Sequence, residues 1–306
     1  MKKKIVCFHL LNDCSGSPKV LQSVLDSLCK RGKEVELVTS NTHGVLDSLQ
    51  SHPNFCMHTY SYKFSDNPVV TMLRYTWVQM LTFFMAWKYL FQKNVVFYIN
   101  TILPVGPAIA GRMMGKRVVY HYHENAFVKG NFYKILAWIM SSLAHEIICV
   151  SAYQASFLKR KDGVTVIPNA LTREFVAKLK PNPVEAFERK NVLMLSSLKE
   201  YKGTKEFIQL ATKMPQYKFT IVINDTQDNI DKYLNDNQLI TPPNLLIYSR
   251  QTDVTKFYNI ASVLLNLTDK TQAIETFGMT PLEAMSCGLP VIVPTVGGIA
   301  ELVITK

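Results

Sequence analysis

Short apolar runs rich in β-branched residues alternate with helical patterns along the chain. This alternation predicts parallel sheets with helices on both faces. A helix is predicted after the first strand, because Ser17 and Pro18 are typical of a helix start and Gly32 ends the apolar pattern that follows. Strands of the first half are predicted at residues 5–10, 34–39, 95–100, 118–122, 146–150 and 165–167.

The alternation is interrupted between residues 172 and 190, where charged residues surround Pro181 and Pro183. Such a segment is typical of a linker between domains. The alternation then restarts, with a helix predicted at 204–213 and strands at 192–195, 219–223, 245–248, 263–267 and 290–293. We therefore predict an α/β protein with an N-terminal domain at 1–172, a linker at 173–190 and a second domain at 191–306.

One predicted helix, at residues 69–91, is apolar nearly all round. Leu73, Trp77 and Phe84 lie on one stripe, whereas Trp87 lies off it. A helix of this kind is buried, or it lies on something apolar. Core packing is the first interpretation, and docking at a membrane interface is the second, since basic residues stand at its ends. Its uncharged stretch has thirteen residues, fewer than the roughly 18 expected of a spanning helix, so no transmembrane segment is predicted.

Composition and charge exclude several classes of protein. With 48% hydrophobic and 19% charged residues among 306, the chain is neither disordered nor collagen-like. Residues 1–150 carry 16 basic and 8 acidic residues, which favours an anionic partner such as phosphate, an acidic glycan or a membrane surface. No nucleic-acid-binding pattern is present. The six cysteines show no CxxC spacing and no Asp-X-Asp occurs, so no metal site is predicted.

The densest candidate for chemistry is the segment Glu275-Thr-Phe-Gly-Met-Thr280-Pro-Leu-Glu283. A strand precedes it and a helix start is predicted at 278–280. Ligands of open α/β sheets bind beyond the carboxyl ends of the strands, where the N–H groups of a helix start favour a phosphate. Thr280 and Glu283 also have the spacing of a capping box, which would stabilise the helix start without a ligand. Glu275 has no comparable local structural role.

This segment and its context resemble the family of retaining glycosyltransferases with the GT-B fold, family 4. Its members carry a Glu, seven intervening residues and a second Glu, as Glu275 and Glu283 do. Matching positions occur over nearly the whole chain, at Gly16, His123, Glu124, Val150, Ser151, Ile167, Pro168, Asn169, Lys202, Gly203, Phe277, Gly278, Ala284, Met285, Gly288, Pro290, Gly297, Gly298 and Glu301. The resemblance implies two Rossmann-like domains whose parallel sheets face a central cleft.

The resemblance also implies roles for individual residues. In the family, the residue matching Glu283 binds the nucleotide ribose, and the residue matching Glu275 contacts the donor sugar. The residue matching Lys202 neutralises the diphosphate, and the residue matching His123 faces the sugar from the first domain. Catalytic roles are thus expected for Glu275, His123 and Lys202. Donor binding is expected for Gly16, Ser197, Lys202, Phe277, Gly278, Met279, Thr280 and Glu283.

Three features of the sequence depart from the family pattern. Ser196 and Ser197 stand where family members commonly have Gly-Arg, the Arg being a second diphosphate contact, and either Lys199 or Arg250 is a candidate for the missing charge. Asn169 is followed by Ala instead of the usual Gly. The chain stops at Lys306, whereas relatives continue for some tens of residues, so the second domain is expected to be incomplete at its C-terminal end.

The function implied by the resemblance is retaining, metal-independent transfer of a hexosyl group. The donor is expected to be a UDP or GDP sugar, without any further cofactor, and the acceptor a glycan or lipid-linked molecule of surface polysaccharide, such as lipopolysaccharide. The basic first half favours a cytoplasmic enzyme in peripheral contact with an anionic membrane, and no nucleic-acid partner is expected. A sugar-nucleotide epimerase of the same fold and a catalytically silent nucleotide-sugar-binding protein are the alternatives.

Overall fold

The computed structural model describes residues 3–127 and 130–303. The chain divides into two compact units, residues 1–168 and 169–306. Each described unit is built on one parallel sheet with helices packed against it. This is the α/β architecture predicted from the alternation of strands and helices.

The first unit contains a seven-stranded parallel sheet with the order β3-β2-β1-β4-β5-β6-β7. Ile5 of the central strand lies opposite Val35 on one side and Val96 on the other. The strands are β1 (Lys4–Phe8), β2 (Glu34–Ser40), β3 (Phe55–Tyr60), β4 (Val95–Asn100), β5 (Arg117–Tyr122), β6 (Glu146–Cys149) and β7 (Val164–Val166).

The helices of this unit form two layers on opposite faces of the sheet. Neighbouring residues along a strand point to opposite faces, so Cys7 packs against Leu21 and Leu25 on one face, whereas Phe8 packs with Tyr75 and Leu136 on the other. The helices are α1 (Gly16–Lys30), α2 (Pro68–Ala86), α3 (Val105–Met113), α4 (Asn131–Leu143) and α5 (Ala152–Ser156), and 3-10 turns occur at Val45–Ser51 and Trp87–Tyr89. Helix α1 covers the first face, and α2, α3 and α4 cover the second.

The second unit contains a five-stranded parallel sheet with the order β10-β9-β8-β11-β12. Its strands are β8 (Asn191–Ser196), β9 (Lys218–Ile223), β10 (Leu245–Tyr248), β11 (Val263–Leu265) and β12 (Val291–Ile292). Its helices are α6 (Arg173–Ala177), α7 (Pro183–Arg189), α8 (Thr204–Lys213), α9 (Gln227–Asp236), α10 (Thr255–Ile260) and α11 (Met279–Ser286), and 3-10 turns occur at Glu200–Lys202 and Ala300–Leu302.

Both sheets reverse their strand order at one point. The first strand of the first unit, β1, lies between β2 and β4, and the first strand of the second sheet, β8, lies between β9 and β11. The connections on the two sides of such a strand run in opposite directions, which opens a crevice at the carboxyl end of the sheet. Ligands are therefore expected beyond β1 and β4 in one unit and beyond β8 and β11 in the other.

Three segments differ from the sequence-based expectations. Strand β3 and helix α4 were not predicted. Strand β3 lies at a sheet edge, where Cys56 and Thr59 are exposed and His58 is half-buried, so the strand lacks a clear apolar alternation. The expected linker contains α6 and α7 and packs on the second unit, with Leu179 and Ala186 buried in that core. The segment has few apolar residues among many charged ones, so its sequence does not indicate that it packs on a hydrophobic core.

Helix α2 differs in its burial. Tyr75, Val78, Thr82 and Ala86 are its buried residues, so one face packs in the core as first expected. The opposite face is apolar and exposed, including Trp77 at 62% of its surface. None of the helices among the described residues is long and apolar enough to cross a membrane.

Candidate active site

Two loops meet at the crevice of the second unit. The loop after β8 leads through Lys202 to Gly203, and the loop after β11 begins near Leu267. The backbone N–H of Asp269 donates to the carbonyl of Tyr201 (2.8 Å). Gly203 has φ of +77°, and a Cβ placed on it would lie 2.5 Å from the Cβ of Leu267, so a glycine here lets the loops approach closely.

An ion pair joins these two loops. The Nζ of Lys202 donates to Oε1 of Glu275, and the Thr268 hydroxyl donates to the same oxygen (3.1 Å). The two charged side chains are each 25% exposed. The predicted phosphate-binding cation and the predicted sugar-contacting carboxylate are therefore in direct contact, in a place that a ligand can reach.

The backbone of Glu275 is held by the later Gly-Gly pair. The N–H of Gly298 donates to the carbonyl of Glu275 (2.9 Å). Gly297 has φ of +98°, and a Cβ placed on it would lie 2.5 Å from that carbonyl oxygen. Both features require glycine at 297. The Gly297-Gly298 match to the family thus has a structural reason, which is to position Glu275.

Helix α11 begins directly after this loop. Gly278 is its N-cap residue and has no side chain that could make a capping hydrogen bond. The capping box predicted for Thr280 and Glu283 is therefore absent, because the helix begins at Met279 and its first turn lies earlier in the sequence than the box requires. The first N–H groups of a helix have no acceptor within the helix, so they are able to bind an anion such as a phosphate. Phe277 is buried at 8% exposure and anchors the entry to the helix.

Glu283 lies on the second turn of α11 and contacts Tyr258 of α10. The Tyr258 hydroxyl donates to Oε2 of Glu283 (2.5 Å). Burial, together with the Glu283 charge, raises the pKa of Tyr258 well above its usual range, so the phenol stays a hydrogen-bond donor at physiological pH. Sequence reasoning missed Tyr258 and Thr268, because neither belongs to a local motif with the residue that it contacts.

The two candidates for the missing charge lie in different places. Lys199 is in the same loop as Lys202, and their amines lie 5.9 and 5.6 Å from the ring centre of Tyr201. Arg250 follows β10, two strands away from β8, and its Nε donates to Oδ1 of Asn224 (2.9 Å). Ser197 is half-buried, and its carbonyl accepts from the hydroxyl of Thr204 (3.3 Å). Lys199 is therefore the cation nearer to the crevice.

In the first unit, polar side chains gather where β1, β4 and β5 end. The Asn100 amide bridges two histidines, since its Oδ1 accepts from Nε2 of His123 (3.0 Å) and its Nδ2 donates to Nδ1 of His9 (3.1 Å). The ring centroids of His123 and His121 lie 4.1 Å apart, and Nδ1 of His121 is hydrogen-bonded to the Tyr98 hydroxyl (2.6 Å). His123 is thus held at the expected crevice of this unit.

These histidines are neutral at physiological pH. Burial lowers the pKa of His9 and of His121 to about 4. Desolvation, with the neighbouring His121 and His9, lowers the pKa of His123 well below its usual range. His9 and Asn100 were not singled out from the sequence. The signal that would have found them is a polar residue at or just after the end of each of two adjacent buried strands.

Gly16, the remaining predicted donor-binding residue, is the first residue of α1 and is exposed. A Cβ placed on it would meet no described atom within 4 Å. Its backbone therefore lies open at a helix start after β1. Among residues 3–127 and 130–303, no group of three or more His, Cys, Asp or Glu side chains is arranged to hold a metal ion.

Solved structures share this architecture. Anabaena HepE, crystallised with UDP and glucose, has a TM-score of 0.75 at 20% identity, and the match covers 99% of this chain and 83% of HepE. Sucrose-phosphate synthase from Thermosynechococcus elongatus has a TM-score of 0.74 at 15% identity, with 99% and 84% covered. WaaG, a glycosyltransferase involved in lipopolysaccharide biosynthesis, has a TM-score of 0.66 at 17% identity, with 97% and 82% covered. At these identities the likeness shows a shared fold.

Family models match both units of the chain. The model described as Glycosyltransferase Family 4 matches residues 15–175, and the model described as Glycosyl transferases group 1 matches residues 177–306. The comparison with curated proteins found no significant match. The first family model alone covers more than half of the chain, so the protein belongs to glycosyltransferase family 4, among the group 1 glycosyltransferases, and has the GT-B fold.

Proposed function

We propose that this glycosyltransferase moves a hexosyl group, with retention of configuration, from a nucleoside diphosphate sugar to a glycan or lipid-linked acceptor. The observation that carries the proposal is the contact between Lys202 and Glu275 beside the uncapped start of α11. A cation, a carboxylate and the first N–H groups of a helix then belong to one crevice. Together they match a donor that has a diphosphate attached to a sugar.

The diphosphate is the leaving group of this reaction. As the glycosidic bond breaks, negative charge builds on the phosphate oxygens. Lys202 and the N–H groups at the start of α11 would stabilise that charge more strongly in the transition state than in the ground state, which is the requirement for catalysis. Both groups are fixed before the donor binds, so little reorganisation is needed during the reaction.

The remaining groups would bind different parts of the donor. Glu283, oriented by Tyr258, would accept hydrogen bonds from the ribose hydroxyls. Glu275 would contact hydroxyls of the donor sugar, because it lies between the phosphate-facing helix and Lys202. His123 is held as a neutral hydrogen-bond donor by Asn100 within the first unit, and the family resemblance assigns it a contact with the donor sugar.

Retention needs no protein nucleophile in this scheme. The acceptor hydroxyl attacks the anomeric carbon from the face that the diphosphate leaves, and the departing phosphate oxygen takes the hydroxyl proton. The reaction therefore needs an acceptor held close to the diphosphate. It needs neither a metal ion nor a further cofactor, since Lys202 and the helix supply the positive field.

The solved relatives support the choice of donor and the biological setting. HepE was crystallised with UDP and glucose, which favours a UDP sugar over a GDP sugar. WaaG acts in lipopolysaccharide biosynthesis, which favours a role in surface polysaccharide assembly. The basic first half of the chain favours a cytoplasmic enzyme in contact with an anionic membrane, where a lipid-linked acceptor would be presented.

One observation favours a second candidate, a catalytically silent nucleotide-sugar-binding protein. Ser197 stands where a second diphosphate-binding arginine is common in the family, so leaving-group stabilisation is weaker unless Lys199 replaces it. A donor-hydrolysis assay separates the two functions. The enzyme releases UDP or GDP from a sugar nucleotide, faster with a lipid-linked or glycan acceptor, and product NMR shows a retained anomeric configuration. Binding without release of nucleotide in the presence of acceptors identifies the silent protein, and conversion of the donor sugar without acceptor identifies an epimerase.

A further inference from the structure

The outward face of helix α2 is built of large apolar side chains. Leu73, Trp77 and Phe84 are 66%, 62% and 69% exposed, and Val69 and Met80 lie on the same stripe at 66% and 48%. Their spacing of three or four residues places them on one side of the helix. A surface helix ordinarily presents polar residues to water and apolar residues only to the core. Helix α2 presents apolar residues both to the core and to water.

The exposed stripe does not serve the packing of the described unit. The opposite side of α2 already supplies its core contacts, through Tyr75, Val78 and Ala86. Exposed apolar stripes of this size mark a surface that binds another apolar surface. The outward face of α2 is therefore a candidate docking surface.

The apolar surface extends over the neighbouring helices. Helices α2, α3 and α4 lie in one layer on one side of the sheet, and the rings of Tyr75 and Phe132 contact each other with 5.7 Å between centroids. Met113 at the end of α3 is 64% exposed, and Ile135 and Trp138 of α4 are 57% and 70% exposed. We refer to these outward side chains as the aromatic face: Leu73, Trp77, Met80, Phe84, Met113, Ile135 and Trp138.

Basic residues adjoin the aromatic face: Lys134 precedes Ile135 on α4, and the carbonyl of Lys63 accepts from Nη1 of Arg74 on α2 (3.1 Å). The segment 61–143, which carries it, contains nine Lys and Arg residues and two acidic residues. Within the part of the chain that the structure describes, Lys63, Lys93 and Lys134 form no ion pair, so their charges remain uncompensated. An apolar, tryptophan-containing surface with a basic rim matches the two layers of an anionic membrane, its acyl chains and its phosphate headgroups.

We infer that the aromatic face docks this enzyme on a membrane leaflet that contains anionic phospholipid. Trp77 and Trp138 enter the boundary between headgroups and acyl chains, where amphipathic aromatic rings are favoured, and Leu73 and Phe84 insert apolar surface beside them. The lysines of the rim contact lipid phosphates. A second copy of the chain is a poorer occupant, because a symmetric dimer would bring two basic rims together. The inference does not depend on sugar transfer.

Intrinsic fluorescence tests this directly, since all three tryptophans of the chain, Trp77, Trp87 and Trp138, lie on α2, the turn after it and α4. The full chain is mixed with vesicles of phosphatidylcholine alone, or of phosphatidylcholine with phosphatidylglycerol. We expect a blue shift of the emission and co-sedimentation with the anionic vesicles, and much weaker binding to the neutral ones. Absence of both signals on anionic vesicles overturns the inference.

Matched variants locate the binding surface. Leu73→Gln with Phe84→Gln should weaken binding to anionic vesicles by at least about tenfold, because two large apolar side chains no longer enter the membrane. The control is Phe187→Gln with Ile240→Gln, two side chains that are 82% and 86% exposed on the second unit, and its binding should equal that of the wild type. Equal loss in both double variants overturns the proposed location. All four side chains are exposed, and circular dichroism verifies that the variants fold.

The basic rim and the competing occupant are tested separately. Lys63→Gln with Lys134→Gln should weaken binding to anionic vesicles and reduce its dependence on salt, while the weak binding to neutral vesicles stays unchanged. Sedimentation equilibrium should show the same oligomeric state for the wild type and Leu73→Gln/Phe84→Gln. A wild-type dimer that this double variant dissociates, together with no binding to vesicles, would identify a second copy as the occupant and overturn the membrane proposal.

Discussion

Lys202 and Glu275 form an ion pair in the crevice of the second unit, although 73 residues separate them along the chain. Their loops meet because β8 and β11 are neighbours in the sheet and both loops leave its carboxyl edge. Each side chain remains partly exposed. A diphosphate sugar entering the crevice would therefore meet its phosphate-binding cation and its sugar-binding carboxylate side by side.

Replacing Glu275 by Gln should separate turnover from nucleotide binding. The substitution preserves the size of the side chain but removes the negative charge beside Lys202. We expect kcat and kcat/KM to fall together by about a hundredfold, because the sugar loses its charged hydrogen-bond acceptor. The affinity for bare UDP or GDP should stay equal or rise, because Lys202 is no longer neutralised. Calorimetry and steady-state kinetics measure both quantities, and an equal loss of nucleotide affinity and turnover would place Glu275 in the nucleotide site.

Glu283→Gln should weaken nucleotide binding by about 1–3 kcal/mol, the usual cost of losing hydrogen bonds to a charged acceptor. Tyr258→Phe should weaken it less, because it removes the group that orients Glu283 and leaves the carboxylate in place. Thr280→Ala is the control. The donor contact expected of Thr280 is through its backbone N–H, which Ala keeps, and Gly278, not Thr280, is the N-cap residue of α11. This change should therefore leave both the nucleotide affinity and the free energy of unfolding close to the wild-type values. A large loss of stability in Thr280→Ala would restore the capping-box interpretation.

Lys199→Gln and Arg250→Gln remove the same charge at two distances from the crevice. The amines of Lys199 and Lys202 both lie near the Tyr201 ring, whereas Arg250 follows β10, two strands away from β8, and is hydrogen-bonded to Asn224. We expect Lys199→Gln to weaken the binding of nucleoside diphosphates by about three- to tenfold, less at high salt, and Arg250→Gln to leave it unchanged. The reverse order of effects would assign the missing charge to Arg250.

The buried histidines predict a loss of stability in mild acid. The pKa of His9 is about 4 in the folded protein and about 6.5 in an unfolded chain. Between these values the unfolded state binds more protons, so the free energy of unfolding falls by about 1.4 kcal/mol per pH unit as the pH is lowered. Denaturant unfolding at pH 7 and pH 5 should show a smaller fall for His9→Gln than for the wild type. Equal pH dependence in the two proteins would show that His9 is not buried as a neutral group.

Much of the fold was predictable because buried parallel strands leave a local signature. β4 was predicted with the bounds it has, and the strands of the second sheet were placed within a few residues. Edge strand β3 was missed because it is only half-buried, so its side chains need not be apolar. Helices α6 and α7 were missed because a few buried residues, such as Leu179, anchor a segment that is otherwise charged.

The candidate site was predictable where its residues follow one another in a motif. Lys202-Gly203 and the segment from Glu275 to Glu283 were found in this way. Tyr258 and Asn100 were not found. Each contacts a site residue on another element, Glu283 and His123 respectively, and these contacts exist only in the folded protein. The outward side of α2 was ambiguous for a related reason. An apolar pattern shows that a side chain avoids water, but not what covers it.

The central claim, that Lys202 and its crevice bind the diphosphate of a sugar nucleotide without metal, is tested most directly by calorimetry with chelator present. UDP, GDP and their hexose conjugates are titrated into the full chain, into Lys202→Ala, and into Lys205→Ala, an exposed lysine nearby on α8. We predict that the wild type and Lys205→Ala bind one of the nucleotides equally, and that Lys202→Ala binds it about ten- to a hundredfold more weakly. Absence of binding by the wild type, or equal binding by Lys202→Ala, would contradict the claim.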